Sequence, residues 1–323
     1  MNTREQVVVV GFGWVGQANA IALDIMGYPV AFYDPGSPTR HYDTYAAAYE
    51  RMERLESLLA KDSLTTCYLV CVGDRVSEEG VQDISLITAA LDSLKGVQGT
   101  VVLRSTVLPD SLESLAFDYY VPEFLHEKKA VEECLAPFYV VVGTGGTMKK
   151  EPSFLNLWRA KTPRIFTGTP REAAFVKYLS NLWNAVRIAF VNEFGDVIGT
   201  PHSKEELDSV ERIINFVMRG ESYLRYGRAF GGHCLPKDMR AFMQFYANDG
   251  KSVDMLRGTY AANDKHEELQ KRHAVLPEWY SSWPLPHLSG FVALRELAFS
   301  LRKNLRNPGP LLARYLGGRK GRD

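Results

Sequence analysis

Short runs of consecutive apolar, mostly β-branched residues alternate along the first half of the chain with longer stretches of helical period. The first run is Gln6-Val7-Val8-Val9-Val10. Its side chains are apolar whichever way they point, which suits a strand buried on both faces of a parallel sheet. Further strands are expected at 28–33, 67–72, 100–103, 138–142 and 164–167, with helices at 14–26, 43–61 and 84–94 between them. Such alternation predicts a doubly wound sheet. After Pro170 the pattern becomes helical throughout. A long helix is expected over 171–199, where Phe175, Leu179, Leu182, Val186 and Phe190 recur at helical spacing. Helices follow at 204–218, 237–248 and 252–272, with a Gly-rich loop at 227–236. The expected architecture is therefore α/β, an N-terminal Rossmann-like doubly wound parallel sheet followed by an all-helical central domain. The boundaries expected are 1–168, 169–275 and a short tail at 276–323 that holds Trp279, Trp283 and a basic amphipathic stretch.

Composition narrows the class. With 323 residues, 46% of them hydrophobic and 24% charged, the chain can bury two cores of ordinary size. Lys and Arg number 38 and so do Asp and Glu, a balance that gives no reason to expect a nucleic-acid partner. No apolar run is long enough to predict a membrane helix, and the polar residues 1–6 lead straight into a strand, unlike a signal peptide. The four cysteines, Cys67, Cys71, Cys134 and Cys234, are too few for a disulfide framework and lack the spacing of a zinc site. A reduced, cytoplasmic setting without a metal is expected.

Two clusters carry chemistry. Gly11-Phe12-Gly13-Trp14-Val15-Gly16 fits G-x-G-x-x-G, and here it follows a buried strand and opens a helix. Gly11 suits a tight turn, Gly13 a close approach of backbone to a pyrophosphate, and Gly16 tight helix–strand packing. The helix N-terminus supplies unpaired N–H groups for phosphate. Asp34 ends the next strand, where a carboxylate accepts from ribose hydroxyls and favours NAD; Arg40, slightly further on, is the kind of residue that takes a 2′-phosphate instead.

The second cluster is dispersed. Lys177 and Asn181 lie four apart, on one face of the long helix. Phe230-Gly231-Gly232-His233-Cys234-Leu235-Pro236-Lys237-Asp238 is a Gly-rich loop running into a helix expected to begin near Pro236. Cys234 would then sit just before a helix N-terminus with cationic neighbours, conditions that favour thiolate and nucleophilic attack. A lone cysteine is more often a small buried hydrophobe. Glu123 and Glu127, four apart within Tyr120-Val121-Pro122-Glu123-Phe124-Leu125-His126-Glu127, suit a base and a ligand clamp, or an ordinary acidic helix face.

Taken in order, these segments resemble the UDP-glucose/GDP-mannose dehydrogenase family over about residues 6–270. The motifs are Gly11 to Gly16, Ser105-Thr106-Val107, Pro122-Glu123-Phe124-Leu125 with Glu127 and Ala130, Lys177-Tyr178-Leu179-Ser180-Asn181, Asn192-Glu193, the loop from Ala229 to Asp238, and Asn263. The resemblance implies oxidation of a primary alcohol of a nucleotide sugar to the carboxylate with NAD, through a thiohemiacetal and a thioester on Cys234. It implies Lys177 as the acid/base or oxyanion partner, helped by Asn181, Glu123 in thioester hydrolysis, and Asp238 and Thr106 positioning water and protons. It places Phe12, Trp14, Val15, Ser105, Thr106, Glu127 and Lys237 with the glycines at the cofactor, and Glu123, Phe124, Leu125, Lys177, Asn181, Phe230 and Gly231 at the substrate. It also implies a homodimer through the central helices. The chain departs from the family pattern at Ala229, at His233, and at Cys71-Val72-Gly73-Asp74, where the family has Val-x-Thr-Pro. The family's sugar-binding Arg-Ile-Gly segment is echoed only by Arg219-Gly220, and the tail stands where the family has a further nucleotide-binding-like domain. Two other readings remain from the residues themselves: a two-electron NAD(P)-dependent dehydrogenase of the β-hydroxyacid type acting on a smaller alcohol, and a non-catalytic NAD-binding scaffold.

Overall fold

The computed structural model describes residues 4–126, 129–146, 149–218, 225–232 and 234–272. The tail, Glu127, His233 and Arg219-Gly220 lie outside the described residues.

The valine run forms β1 (Gln6–Val10), with Val7, Val8 and Val9 fully buried. It is followed by α1 (Trp14–Ile25), β2 (Val30–Tyr33), α2 (Ala46–Arg51), β3 (Glu53–Arg54) and β4 (Thr66–Val70). A small hairpin of β5 (Arg75–Val76) and β6 (Gln82–Asp83) precedes α3 (Ser85–Asp92). Then come β7 (Thr100–Leu103), β8 (Tyr119–Tyr120), α4 (Ala130–Leu135), β9 (Val140–Thr144), α5 (Ser153–Arg159) and β10 (Ile165–Gly168). The helical half consists of α6 (Pro170–Gly199), α7 (Lys204–Met218), α8 (Cys234–Asn248) and α9 (Asp254–Arg272).

The large sheet has the order β10-β9-β8-β7-β4-β1-β2-β3. Two apolar clusters cover its faces: Val7, Val9 and Leu69 point toward α1 and the Phe154–Trp158 side, whereas Val8, Val10 and Val70 point toward Ile87, Leu91 and Ala173. That two-sided burial is why the strands read as continuous apolar runs rather than alternating ones. The expected parallel sheet is realised except where β8 meets β9, which pair antiparallel.

Local differences from expectation have simple causes. The helix expected over 43–61 ends at Arg51, because Met52 turns extended and 53–54 joins the sheet edge beside β2. β2 begins at Val30 rather than at residue 28, and β9 is shifted two residues later than expected. β3, β8 and the 75–83 hairpin have strands of two residues each, too short to show a period.

The helix expected at 171–199 is present, and its start is well specified. Thr169 accepts from the Glu172 N–H while Glu172 accepts from the Thr169 N–H, with Pro170 in the first turn. At 30 residues it is about 45 Å long. It begins against β9 and runs the length of the helical half, packing on α7, α8 and α9. No helix among the described residues is long and apolar enough to cross a membrane.

Candidate active site

The first site lies at the carboxyl ends of β1 and β2, beside the point where the strand order reverses between β1 and β4. Gly11 takes φ +85°. A Cβ on Gly16 would lie 2.0 Å from the Gly11 carbonyl oxygen, so only glycine lets α1 seat this closely on the turn. At Gly13, by contrast, a Cβ would meet nothing within 4 Å, and no side chain caps the helix start. The first turn of α1 is therefore open to an incoming anion. Asp34 accepts from the Phe12 N–H (2.7 Å) and the Gly36 N–H (2.8 Å), which holds its carboxylate over the glycine turn.

The other residues expected here divide. The Trp14 ring is exposed and stacks on His41 at 4.0 Å, and Val15 is half-buried against the core. The Phe12 ring is buried and stacked on Phe32, so only its backbone faces the turn. Arg40 is exposed with its guanidinium over the Tyr49 ring. Ser105 donates to the Val72 carbonyl (2.5 Å), tying its turn to the loop after β4. Thr106 is half-buried beside it, and its carbonyl accepts from Gln82.

The second site assembles where α6 and α8 cross. Each helix contributes two side chains one turn apart: Lys177 and Asn181 from α6, Cys234 and Asp238 from α8. The buried amide of Asn181 donates to Asp238 at 2.6 Å. Glu123 arrives from the segment after β8. Its carboxylate accepts from Lys177 Nζ (3.1 Å) and from the Leu125 N–H (2.7 Å). Phe124 lies with its ring 5.3 Å from Lys177 Nζ. Burial alone would push the Glu123 carboxyl up, but Lys177, the Leu125 N–H and Arg104 outweigh it and hold the group below the usual glutamate value.

Cys234 interacts electrostatically with Glu123, Lys177, Asp238 and Lys237. It is solvent-reachable, unlike the buried Cys67, Cys71 and Cys134. Its position corrects two expectations. α8 begins at Cys234 itself, two residues before Pro236, so the thiol is in the first turn rather than ahead of it. The thiol is also raised rather than lowered: the protein packed around it and the Glu123 carboxylate push it up, and Lys177 and Lys237 only partly offset them.

Lys237 differs from expectation as well. Its ammonium is buried between Asp74 (2.5 Å) and Asp238 (3.0 Å), which together hold it well above the usual lysine value. Asp74 also accepts from Gln82, whose side-chain Oε1 takes the Leu108 N–H. The departure noted at Asp74 thus supplies a counter-ion for Lys237 and fastens the 75–83 hairpin to α8.

The loop before Cys234 is braced by amides that reach across from two helices. Asn192 of α6 accepts from the Gly227 N–H (3.0 Å) and donates to the Arg228 carbonyl (3.1 Å). Asn263 of α9 accepts from the Phe230 N–H (2.8 Å) and donates to its carbonyl (3.0 Å). Gln270 accepts from the Ala229 N–H. Phe230 is therefore buried and fixed, whereas Gly231 is exposed with open space on its Cβ side.

Residues 171–265 match the central domain of the UDP-glucose/GDP-mannose dehydrogenase family. The UDP-glucose 6-dehydrogenase of Rickettsia bellii is 25% identical over 299 residues, 81% of this chain and 68% of that protein. The GDP-mannose 6-dehydrogenase of Pseudomonas aeruginosa is 27% identical over 284 residues, 73% of this chain and 63% of that protein. The solved UDP-glucose dehydrogenase of Pyrobaculum islandicum superposes with a TM-score of 0.67 at 25% identity, covering 81% of this chain and 68% of that one. The helical half thus matches the central domain of that family, and most of the chain is similar to its dehydrogenases. The chain spans about two thirds of the length of these relatives.

Several residues that shape the site carried no motif of their own: Asp196, Tyr226, His266 and Gln270. A signal was present. Asn263, His266 and Gln270 are spaced three and four apart, and Asn192 and Asp196 four apart, which places each set of polar groups on one helix face.

Proposed function

We propose that this chain oxidises the primary alcohol of a nucleotide sugar to a carboxylate with NAD, in two hydride transfers that use Cys234 as the covalent nucleophile. The observation that carries the reading is the meeting of Cys234 with Lys177 and Glu123 at the α6–α8 crossing. A simple alcohol oxidation does not need a nucleophilic thiol. Oxidation through to the acid does, because an aldehyde held as a thiohemiacetal can lose a second hydride and leave a thioester.

The glycine turn, the open first turn of α1 and Asp34 fit a dinucleotide: space for the pyrophosphate at Gly13, free N–H groups at the helix start, and a carboxylate for ribose hydroxyls. Bound NAD would supply the hydride acceptor for both oxidations. The remaining work falls to side chains. Lys177 stabilises negative charge on the substrate oxygen as Cys234 adds to the aldehyde carbon. Glu123, kept ionised by Lys177 and the Leu125 N–H, takes a proton from the water that opens the thioester. Asp238, hydrogen-bonded to Asn181, fixes the amide that shares the oxyanion. The buried Lys237 has a structural place between Asp74 and Asp238 rather than one at the phosphates.

A homodimer through α6 is part of this proposal. Leu179, Trp183, Phe190, Phe194 and Val197 form an exposed apolar stripe along the helix, and Phe216 and Val217 of α7 are exposed as well.

The test is NADH production by the purified chain with NAD and UDP-glucose or GDP-mannose. Two NADH per sugar are expected, with Cys234→Ser unable to complete the second oxidation. One NADH per substrate, unaffected by Cys234→Ser, would establish a two-electron dehydrogenase instead.

A further inference from the structure

His266 of α9 is almost completely buried, and both of its ring nitrogens meet acceptors. Nε2 lies 2.6 Å from the Gly227 carbonyl oxygen, and Nδ1 lies 2.6 Å from Asp196 Oδ2 of α6. A carbonyl only accepts, so Nε2 must carry a hydrogen. A neutral imidazole then has a bare lone pair at Nδ1, facing a carboxylate. The contact is attractive only when one further proton is shared between His266 and Asp196. An imidazole is a stronger base than a carboxylate, so the proton belongs on the ring.

We propose that His266 is a buried imidazolium paired with Asp196, and that this protonated pair is a positioning device for the loop 226–232 that leads into Cys234. The inference rests on the reading of Cys234 as the nucleophile for its functional meaning, but not for its chemistry.

Among the described residues, the polar groups that face the pair favour this state. From the loop, Tyr226 donates its hydroxyl to Asp196 Oδ1 at 2.9 Å and sets its ring edge-on to the imidazole. Burial and the Asp196 carboxylate hold that phenol well above the usual tyrosine range, so Tyr226 remains a donor. From α9, Gln270 donates to the same Gly227 carbonyl at 2.6 Å. From α6, Asn192 takes the Gly227 N–H. From α7, Leu207, Val210 and Ile214 close the cluster with apolar surface. The phenol occupies one carboxylate oxygen and the imidazolium the other, and the Gly227 carbonyl is held by two donors. The close seat of the Tyr226 ring requires Gly195, where a Cβ would fall 2.1 Å from it.

Loss of the shared proton turns an attraction into a contact between lone pair and carboxylate inside the protein. The expected consequence is a loop that loosens as pH rises, with the helical scaffold intact. Asp196→Asn makes a sharp probe. Its amide oxygen still accepts from Tyr226, and its NH2 donates to a neutral Nδ1, so the variant braces the loop without the extra proton.

Two measurements decide the matter on the full chain. In protein labelled with 15N at histidine, with His266→Ala assigning the signal, wild-type His266 should show imidazolium nitrogens at neutral pH, and Asp196→Asn a neutral ring with an unprotonated Nδ1. Amide hydrogen exchange of loop 226–232 should rise with pH in the wild type beyond the intrinsic increase. It should follow only the intrinsic increase in Asp196→Asn, and be fast at every pH in His266→Ala. A neutral His266 in the wild type at neutral pH overturns the proposal. So does identical pH dependence of loop exchange in wild type and Asp196→Asn. Neither readout requires turnover, so a failure of the nucleotide-sugar reading would leave this result standing, and the reverse.

Discussion

At the scale of single residues, charge placement matters more than motif identity. Cys234 has the helix start that sequence reasoning looks for, yet crowding and Glu123 raise its thiol. Alkylation by iodoacetamide should therefore quicken with pH along a curve displaced to the alkaline side of an ordinary thiol. The other three described cysteines are buried, so the reaction reports Cys234. Glu123→Gln removes the charge that raises the thiol most and frees Lys177, so the curve should move toward acid; Lys177→Met should move it the other way. Unchanged curves in both variants would mean that neither group reaches the sulfur. Lys177→Met also strands Glu123 as an unpaired buried carboxylate, at a cost of about 3–5 kcal/mol measurable by urea unfolding. The sign with pH follows from the lowered Glu123 carboxyl. Its contribution is fully present above the ordinary value of 4.5 and is lost as pH falls through the lower folded-state value. The wild type should thus lose part of its margin over Lys177→Met in acid.

At the scale of elements, backbone approach is decisive. The glycine turn works because α1 sits within touching distance of Gly11. Gly16→Ala places a methyl on the Gly11 carbonyl and should abolish NAD binding by calorimetry while lowering the melting temperature. Asp34→Ala leaves that helix packing alone but removes the acceptor of the Phe12 and Gly36 N–H groups, so it should weaken NAD binding with a smaller fall in melting temperature. The order of strands and helices was legible because strands buried on both faces advertise themselves as apolar runs and the long helix has a capping box at Thr169. The two-residue strands were not legible, since two residues have no period, and neither was the end of α2, which the sheet edge decides by recruiting 53–54.

At the scale of the whole molecule, α6 acts as a spine. Its inward face carries Lys177 and Asn181 at the candidate site and Asn192 and Asp196 at the loop brace, and its outward face carries the apolar stripe. The helical period flagged Phe175, Leu179, Leu182, Val186 and Phe190 as one apolar set, but only Leu182 of these is buried, while Leu179 and Phe190 are exposed. If the stripe joins two copies, Phe190→Glu with Phe194→Glu should convert a dimer to a monomer in light scattering, with NAD binding retained. A wild-type monomer at working concentration would refute that pairing.

What the sequence determined by itself was local: which stretches bury both faces, where a helix can start, where glycine is required, and which residue types suit a nucleophile and its partners. These depend on neighbours within a few positions, and they were enough to bring the family into view. The tertiary structure decided what depends on distant neighbours. It set Lys237 between Asp74 and Asp238, 163 residues apart from the first of these. It raised a thiol that its own helix would lower, and it placed His266 between two acceptors from separate segments. Electrostatic environment and hydrogen-bond partnership are properties of space rather than of sequence separation, so they became definite only when the chain had folded.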